Sequence, residues 1–461
     1  MISEEVRKLL TKIPQPIRVI WQTLTQESQT FLVGGAVRDL LLGEIPHDYD
    51  FASARPPAEV IRWAHLQGWQ AILTGAAFGT VTLRHPAYPN WPVELTTFRL
   101  DGAYKDSRHP DDVQFSNNIV DDLSRRDFTM NALAISIDGQ VVDPFEGQTD
   151  LRNGVIKTVG DAAVRLREDP LRIWRAVRFV GKDHGGQPFT LAPETQNQIQ
   201  QNGLWVLRIS PERQRDELWK LLGTPHFDHA LRTADMLGLL SLVWPEWAAT
   251  RGFAQHNRHH AYPVHVHLLA TAAHGSSEVL RLAGLLHDIG KPECLTLDAS
   301  GQGHFYGHEV IGAVYAERML RRLHFDSHTI QHVRNLVAHH MYPWESVGEK
   351  RLRRVAREWG WDHVEELWEL RKMDVVGSGT AENWIEESVV RERWQSAMVK
   401  AGEHGLKPAV GGREIMMWTH LQPGPEVGQW VRQIQDWIDE NPSRNTPEQI
   451  KQFVEAHLGL S

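Results

Sequence analysis

Two aspartates with one residue between them, Asp48 and Asp50, follow a Phe-Leu-Val-Gly-Gly run at residues 31–35. If this segment is a strand, side chains at positions i and i+2 lie on the same face. Two carboxylates on one face suit hard divalent cations such as Mg²⁺. In phosphoryl transfer, a pair of such cations activates the attacking hydroxyl and stabilises the leaving group. The pair therefore indicates metal-dependent phosphoryl chemistry.

A glycine pair precedes these aspartates. Gly34 and Gly35 end a predicted strand and begin a predicted helix. Bare backbone at a helix N-terminus suits a triphosphate, and Arg38, one turn into that helix, adds positive charge. Each feature alone is common, since Asp-x-Asp occurs in many loops and Gly-Gly in many turns. Their order and spacing favour a nucleotide site.

The elements around this site alternate between strand and helix. β-branched runs at residues 78–85 and 92–99, separated by a loop containing Pro and Asn, predict a hairpin. Residues 132–144 predict a second hairpin with an Asp-Gly turn. The first part of the chain is thus α/β with a mixed or antiparallel sheet. After about residue 160, apolar residues recur at helical spacing to the end of the chain.

Composition limits the class of protein. The chain has 461 residues, which favours about two to four domains. Its 41% hydrophobic and 23% charged residues are ordinary for a globular protein. No apolar run is long enough to span a bilayer, and the first ten residues lack a signal-peptide pattern. Cys294 is the single cysteine, so an internal disulfide is excluded. We expect a cytoplasmic protein without a membrane partner.

The net charge of −9 counts against non-specific binding of nucleic acid over the whole surface. It leaves room for a local basic patch, because charge can be segregated between domains. Histidine is frequent, with 25 residues in total. Many of these lie between residues 256 and 340, which suggests a metal site there.

The segment from residue 32 to residue 51 resembles the signature of polymerase-β-type nucleotidyltransferases. More narrowly, it is similar to the head of class II tRNA nucleotidyltransferases and bacterial poly(A) polymerases. The resemblance implies that Asp48 and Asp50 are catalytic ligands of Mg²⁺. Glu94 is our candidate for a third carboxylate, although an ordinary strand carboxylate is an equally good interpretation.

The run DDLSRRDFTMNALA at residues 121–134 resembles the next motif of that family. The resemblance implies that Arg125, Arg126 and Asp127 contact the incoming triphosphate and ribose. Asn131 would support them. The planar fork of arginine binds phosphate oxygens bidentately.

Residues 167–179 resemble the nucleotide-selecting helix of the class II enzymes. The matching residues are Glu168, Asp169, Arg172 and Arg175. Asp169 and Arg172 are three residues apart, so on a helix they share one face. Acceptors on Asp169 and donors on Arg172 can mimic a Watson–Crick edge and select C or A. The alternative is a surface ion pair. Further along, Glu212 and Arg213 are expected to brace the neck.

The histidine-rich region resembles the HD phosphohydrolase superfamily. By this match the metal ligands are His267, His287, Asp288 and Asp374. His265 is an alternative to His267, which we prefer because Val264 to His267 matches the family spacing. His308 and His340 would complete a second metal position or bind phosphate. The resemblance implies Mg²⁺, Mn²⁺ or Ni²⁺ here and hydrolysis of 2′,3′-cyclic phosphates or terminal phosphates. The alternative is a structural remnant without activity.

Together these patterns predict an α+β chain, in which a polymerase-β-type nucleotidyltransferase head precedes an all-helical neck, HD domain and tail. The predicted divisions are 1–150 for the head, 151–250 for the base-selecting neck, 251–380 for the HD domain and 381–461 for a tRNA-binding tail. The implied activity is template-free addition of CCA, or of the terminal A, to the tRNA 3′ end from CTP and ATP. A monomer or a homodimer fits equally.

Two other functions remain possible at this stage: a poly(A) polymerase, and an HD phosphohydrolase with a nucleotide-sensing head. The tail is not basic, which counts against the first. The intact motifs of the head count against the second. The loop at residues 99–115 has the length expected of enzymes that add CCA or A, rather than CC alone. In the tail, Gly424 and Gly428 either approach a phosphate backbone or only cap a helix, and the tryptophans are typical of a core.

Overall fold

The computed structural model describes residues 4–75, 79–101, 113–256, 261–343, 346–379, 387–405 and 407–459. They form two compact units. The first comprises Met1–Ala248 with Arg322–His324, and the second Ala249–Arg321 with Phe325–Ser461. Within the described ranges, every helix is too short or too polar to cross a bilayer.

The first unit begins with the head, whose first helix is α1 (Glu4–Thr11). Its strands are β1 (Thr30–Val33), β2 (Asp50–Ser53), β3 (Gln70–Gly75), β4 (Thr80–His85), β5 (Tyr88–Thr97), β6 (Arg99–Asp101), β7 (Val113–Phe115), β8 (Ala134–Ser136) and β9 (Val141–Val142). Seven of them form one sheet in the order β3-β4-β5-β2-β1-β8-β9. β2 and β5 are parallel, and the other neighbours in this sheet are antiparallel. The sheet is therefore mixed.

Both faces of the sheet are buried at β1, whose four residues are all buried. Leu32 packs in one cluster with the helices α2 (Gln15–Glu27), α3 (Gly35–Leu41) and α4 (Pro57–Leu66). Phe31 and Val33, which point the other way, pack in a second cluster. An apolar strand without polar alternation is what a strand covered on both faces requires.

The predicted hairpins are present. β4 and β5 pair as predicted, but their turn is only residues 86–87, and Pro89 and Asn90 belong to β5. The prediction that Pro89 and Asn90 lie in a loop was therefore wrong. β8 and β9 pair around the predicted Asp-Gly turn, in which Gly139 has a φ of 89°.

The rest of the first unit is mainly helical. Its helices are α5 (Ile119–Ser124), α6 (Gly147–Arg152), α7 (Ala162–Glu168), α8 (Leu171–Val180), α9 (Pro193–Asn202), α10 (Pro211–Leu222), α11 (Phe227–Met236), α12 (Leu239–Val243) and α13 (Pro245–Ala248). Two pairs of two-residue strands interrupt them, Val155–Ile156 with Thr190–Leu191 and Asp183–His184 with Gln187–Pro188.

The second unit is also mainly helical. Its helices are α14 (Val264–Ala272), α15 (Glu278–Leu286), α16 (Lys291–Cys294), α17 (His308–Arg322), α18 (Ser327–His339), α19 (Glu349–Trp359), α20 (Trp361–Gly377), α21 (Glu387–His404), α22 (Gly412–Thr419), α23 (Pro425–Glu440) and α24 (Pro447–His457). Close approach of α20 to α14 depends on Gly377, where a Cβ atom would lie 2.7 Å from the backbone nitrogen of Thr271.

Candidate active site and candidate metal centre

The glycine turn of the head has a strict steric requirement. Gly34 caps α3 with a φ of 71°, in the region that favours glycine. A Cβ atom at this position would lie 2.5 Å from Nη1 of Arg126. The turn therefore lets an arginine from a distant part of the chain reach the end of β1.

The three head carboxylates lie along one edge of the sheet. Asp50 is the first residue of β2, and its register partner across the parallel pair is Glu94 of β5. Asp48 lies in a bend before the strand, so the strand geometry that we expected applies to Asp50 alone. All three side chains are exposed and line a cleft of about 630 Å³.

Electrostatics supports the proximity of these carboxylates. Partial desolvation by the surrounding protein raises the pKa of Asp50, although its side chain still reaches solvent. The charges of Glu94 and Asp48 raise this pKa further, while Arg126 lowers it. Among the described residues, the groups whose potential metal-ligand atoms all lie within 4.8 Å of one another are in the second unit. The head carboxylates are farther apart than that, so a cation here would draw them together.

A second cleft, of about 460 Å³, is strongly positive. Its lining includes seven arginines and three aspartates, namely Arg38, Arg125, Arg126, Arg172, Arg175, Arg178 and Arg213 with Asp50, Asp127 and Asp169. Gly35 and Asn131 line it as well, so most of the predicted nucleotide-binding residues are brought together. Gly34 is not part of the lining. The overall negative charge is thus compatible with a local anion site.

Asp127 organises the wall of this arginine cleft. Its Oδ2 accepts a hydrogen bond of 2.7 Å from Arg175 Nε, and its Oδ1 accepts one of 3.0 Å from Asn131 Nδ2. Arg38 in turn donates to Asn131 Oδ1 at 2.7 Å. Burial would raise the pKa of Asp127, but Arg175, Asn131 and Arg172 hold it well below its usual range. The carboxylate is therefore ionised and engaged with protein groups.

The predicted selecting pair is not on one helix. α7 ends at Glu168, and Asp169 has an extended backbone with a φ of −140°. Its Oδ1 accepts a hydrogen bond from the backbone N–H of Leu171, at the start of α8, and its carboxylate pairs with Arg213 Nη2 at 3.2 Å. The prediction of a shared helix face was wrong, because the chain bends before Pro170. Asp169 and Arg172 nevertheless line the same cleft.

Arg172 is held by three oxygens. Nη1 donates to Glu168 Oε2 and to the carbonyl of Arg165, both at 2.9 Å. Nη2 donates to the carbonyl of Arg125 at 3.1 Å. Since the side chain is only 9% exposed, its guanidinium has a fixed orientation at the cleft wall.

Sequence reasoning missed Arg178 and Phe179 as cleft residues. Arg178 donates to Glu217 at 2.6 Å, and its guanidinium lies 4.3 Å from the Phe179 ring centroid. Arg38 and Arg175 also approach this ring, at 5.0 and 5.5 Å. The signal was available, since Arg172, Arg175 and Arg178 follow one another at steps of three residues, which is one helix face.

In the second unit, the structure brings together His267, His287, Asp288 and Asp374. His267 Nε2 lies 3.1 Å from His287 Nε2 and from Asp288 Oδ2, and 3.2 Å from Asp374 Oδ1. These residues come from α14, the end of α15 and α20. His265 is outside the group, and its Nδ1 accepts a hydrogen bond from the backbone of Gly252.

Asp288 lies between two sets of imidazoles. Its Oδ2 faces His267 and His287, whereas its Oδ1 is 3.1 Å from His308 Nε2 and 3.6 Å from His340 Nε2. Asp288, His308 and His340 form a second group of potential ligand atoms within 4.8 Å. One carboxylate therefore belongs to two adjacent candidate metal positions.

Backbone carbonyls fix three of these rings. The Nδ1 atoms of His287, His308 and His340 lie 2.9, 2.6 and 2.7 Å from the carbonyl oxygens of Gly284, Phe305 and Val337. Such contacts place the proton on Nδ1 and leave the Nε2 lone pair for a metal.

We call the residues of these two groups the HD cluster, namely His267, His287, Asp288, His308, His340 and Asp374. The charges within it are strongly coupled. Burial lowers the pKa of His287, but Asp288 and Asp374 outweigh it and raise the pKa to about 10. Burial would raise the pKa of Asp374, but its hydrogen bonds with both histidines hold it well below the usual range. The donor set of imidazole and carboxylate fits a divalent cation, which would replace the proton.

A cavity of about 510 Å³ opens on this cluster. Lys291 and Arg371 line it and pair with the cluster carboxylates: Lys291 Nζ lies 2.5 Å from Asp288 Oδ2, and Arg371 Nη1 lies 2.9 Å from Asp374 Oδ2. Two cations beside a candidate metal position provide a place for a phosphate group.

The tail contains a glycine and several tryptophans for which the sequence predicts a role. Gly424 is the N-cap of α23. Trp418, Trp430 and Trp437 pack against the apolar core of the tail, and Trp394 is buried, as expected for core residues. Trp384 and most of the loop at residues 99–115 lie outside the described residues.

Three family models match successive parts of the chain. The model described as "Poly A polymerase head domain" matches residues 30–157, and "Probable RNA and SrmB- binding site of polymerase A" matches 188–250. The model described as "HD domain" matches residues 226–374. The chain thus carries a nucleotidyltransferase head followed by an HD domain, and the predicted fold class is confirmed.

Proteins of similar sequence show to which family of nucleotidyltransferases the chain belongs. The chain is 33% identical over 437 residues to the A-adding tRNA nucleotidyltransferase of Deinococcus radiodurans, a match that covers 92% of this chain and 94% of that protein. It therefore belongs to the class II tRNA nucleotidyltransferase family. The CCA-adding enzyme of Geobacillus stearothermophilus is 41% identical over 227 residues, which is 49% of this chain and 53% of that enzyme.

Solved structures of CCA-adding enzymes are similar to the structure of this chain. The structure of the CCA-adding enzyme of Bacillus stearothermophilus in complex with CTP superposes on this chain with a TM-score of 0.70 at 27% sequence identity. The match covers 96% of this chain and 97% of the chain of that enzyme. The Thermotoga maritima CCA-adding enzyme complexed with tRNA has a TM-score of 0.61, with coverage of 99% and 100%. At 19% identity, the second match shows the fold alone.

Proposed function

We propose that this protein adds nucleotides from CTP and ATP to the 3′ end of tRNA without a nucleic-acid template. The observation that carries the proposal is the arginine cleft, in which Asp50 shares a lining with seven arginines and with Asp169. The cleft has the charge for a triphosphate, and Asp50, which lines it, also lines the neighbouring cleft with Asp48 and Glu94. The Deinococcus and Geobacillus relatives, named for A addition and CCA addition, support tRNA as the acceptor.

In this proposal, some arginines of the cleft bind the triphosphate and another contacts the base. Arg125, Arg126 and Arg175 bind the triphosphate, and Arg38 is oriented by Asn131. Arg172 offers donors to the base and Asp169 offers acceptors. A carboxylate has about four lone-pair sites, so Asp169 can accept from a base and keep its contact with Arg213. Because protein residues supply this edge, no template strand is needed.

Asp48, Asp50 and Glu94 are the residues that would hold Mg²⁺ in the head. Desolvation and the charges of Glu94 and Asp48 raise the pKa of Asp50, and a bound cation would offset both effects. When bound, Mg²⁺ would supply charge neutralisation for the triphosphate and for the attacking 3′-hydroxyl. The exposed carboxylates border the cleft of 630 Å³, which is where the tRNA end would reach them.

For the second unit, the proposed activity is metal-dependent hydrolysis of a phosphodiester or phosphomonoester. His267, His287, Asp288 and Asp374 would hold a cation, which would supply an activated water and a Lewis acid. Lys291 and Arg371 would bind the phosphate oxygens. The proposed divisions are 1–150 for the head, 151–250 for the neck, 251–380 for this HD domain and 381–461 for a tail that contacts tRNA.

Incorporation of labelled nucleotides tests the transferase proposal. Transcripts of one tRNA that end at the discriminator base, at C or at CC are incubated with CTP and ATP. CCA addition extends all three to the same length, whereas A addition extends only the transcript ending in CC, by one nucleotide. A long A tract would instead support a poly(A) polymerase. An Asp48→Asn/Asp50→Asn variant that retained incorporation would contradict the proposal and favour a nucleotide-sensing head.

Hydrolysis of 2′,3′-cyclic nucleotides and of 2′- and 3′-phosphates, with Mg²⁺, Mn²⁺ or Ni²⁺, tests the second activity. We expect His287→Gln to abolish it and to leave nucleotide incorporation unchanged. If the wild type hydrolyses none of these substrates with any of the three cations, the HD cluster is a structural remnant.

A further inference from the structure

A second histidine cluster lies in the same unit as the HD cluster but shares no residue with it. It consists of His332, His363 and Glu366, and each offers a potential ligand atom within 4.8 Å of the others. His332 belongs to α18, and the other two belong to α20. We call these three residues the outer cluster.

In the outer cluster, His332 is hydrogen-bonded to Glu366, whereas His363 is not. His332 Nε2 is 2.5 Å from Glu366 Oε2, which is a short hydrogen bond. His363 Nδ1 is 4.0 Å from the same oxygen, which is too far for a hydrogen bond. A tetrahedral cation with bonds of about 2.0–2.2 Å holds its ligand atoms roughly 3.4 Å apart. Small shifts of these side chains would therefore meet its requirements.

His363 is positioned and charged as a metal ligand should be. Its side chain is 11% exposed, and its Nε2 is enclosed without a hydrogen-bond partner among the described residues. Burial, together with neighbouring His339, lowers its pKa to about 4, so the ring is neutral at pH 7. Trp359 stacks on His339 at 3.8 Å and contacts His363 edge-on at 5.9 Å, which holds both rings in place.

We propose that His332, His363 and Glu366 bind one divalent cation of borderline softness, Zn²⁺ or Ni²⁺, at a position separate from the HD cluster. Two imidazoles and one carboxylate suit such cations. Ordinary ion pairing accounts for His332 with Glu366, but it does not account for His363, whose Nε2 is buried without a hydrogen-bond partner among the described residues.

The position of the outer cluster suggests what the cation does. His332 precedes His340 by eight residues, and Glu366 precedes Asp374 by eight residues. On a helix this corresponds to about 12 Å. A cation at the outer cluster would therefore join α18 to α20, the two helices that carry His340 and Asp374 into the HD cluster.

Counting bound Zn²⁺ in the full-length protein tests the proposal. After chelation, loading with Zn²⁺ and dialysis, we expect Glu366→Gln and His332→Gln to hold one Zn²⁺ fewer per chain than the wild type. His274→Gln, an exposed histidine outside both clusters, should hold the wild-type number. Unchanged Zn²⁺ content in both outer-cluster variants would overturn the proposal.

A second comparison excludes loss of the HD cation as the cause. In a His287→Gln/Asp288→Asn background, where both candidate positions of the HD cluster lose the carboxylate of Asp288, one Zn²⁺ per chain should remain and should raise the melting temperature. Adding Glu366→Gln should remove both the ion and the shift, while the circular dichroism spectrum stays folded. Absence of bound Zn²⁺ in the folded His287→Gln/Asp288→Asn parent, or its retention in the triple variant, would also overturn the proposal.

Discussion

Asp50 and Glu94 are register partners on the parallel strands β2 and β5, although they are 44 residues apart in the chain. The charge of Glu94 raises the pKa of Asp50, and that of Arg126 lowers it. Asp50 thus stands between a negative group and a positive group, at the boundary of the two clefts that it lines. This is where a cation and a triphosphate would meet.

Removing either charge of this pair should stop nucleotide addition without unfolding the head. We expect Asp50→Asn and Glu94→Gln each to lower kcat for nucleotide incorporation by at least about a hundredfold, because transition-state charge loses its stabilisation. Both side chains are exposed, so the melting temperature should change little. Asp138→Asn, in the β8–β9 turn, is the control. Activity of Glu94→Gln near the wild-type level would show that Glu94 is only a strand carboxylate.

Gly34→Ala should impair nucleotide binding through Arg126. A Cβ atom at Gly34 would displace the Arg126 guanidinium, which lies 2.5 Å away. Gly43→Ala is the control for substitution at a positive φ, because Gly43 has a φ of 82° but its nearest neighbour is Lys12 Nζ at 3.7 Å. Equilibrium binding of CTP and ATP should weaken in Gly34→Ala alone. Equal weakening in both variants would assign the effect to strain.

Much of the head was predictable because its signals are local. The strand–turn–helix around Gly34 and the hairpin around Gly139 depend on residues that are adjacent in the chain. The partnership of Asp50 with Glu94 is different, since it depends on β5 crossing over to lie parallel to β2. No local pattern specifies that register. The sequence therefore left two interpretations of Glu94 equally open, a third metal-binding carboxylate and an ordinary strand carboxylate.

The neck shows a signal that was present but misinterpreted. A residue that precedes proline is disfavoured in the helical region, so Asp169 before Pro170 should have predicted a break between two helices. In the HD cluster, by contrast, no local signal was available and the family motif gave the prediction. Its potential ligands come from several helices. The family motif predicted that His267, His287, Asp288 and Asp374 lie together, which spacing alone could not predict.

Metal binding at the HD cluster should release protons and strengthen as pH rises. Without metal, Asp288 and Asp374 raise the pKa of His287 to about 10. The raised pKa stabilises the metal-free fold fully below the unfolded value of about 6.5, and this contribution is lost as pH rises through 10. A cation must displace that proton. Titration calorimetry of the chelated protein with Mn²⁺ at pH 8, in buffers of different ionisation enthalpy, should show proton release, which His287→Gln should reduce.

Arg213 should influence base choice through Asp169, which it contacts at 3.2 Å. In Arg213→Ala, Asp169 loses a partner that fixes its carboxylate at the cleft wall, so discrimination for C and A over G and U should fall. Each lost base contact is worth about 1–3 kcal/mol, so we expect roughly a 10- to 100-fold change in relative kcat/KM. The control is Arg215→Ala, on the same helix, where the arginine pairs with Asp216. Incorporation of each of the four nucleotides at the same tRNA end measures the effect. If Arg213→Ala lowered kcat/KM for all four nucleotides equally, Arg213 would brace the neck without contributing to selection.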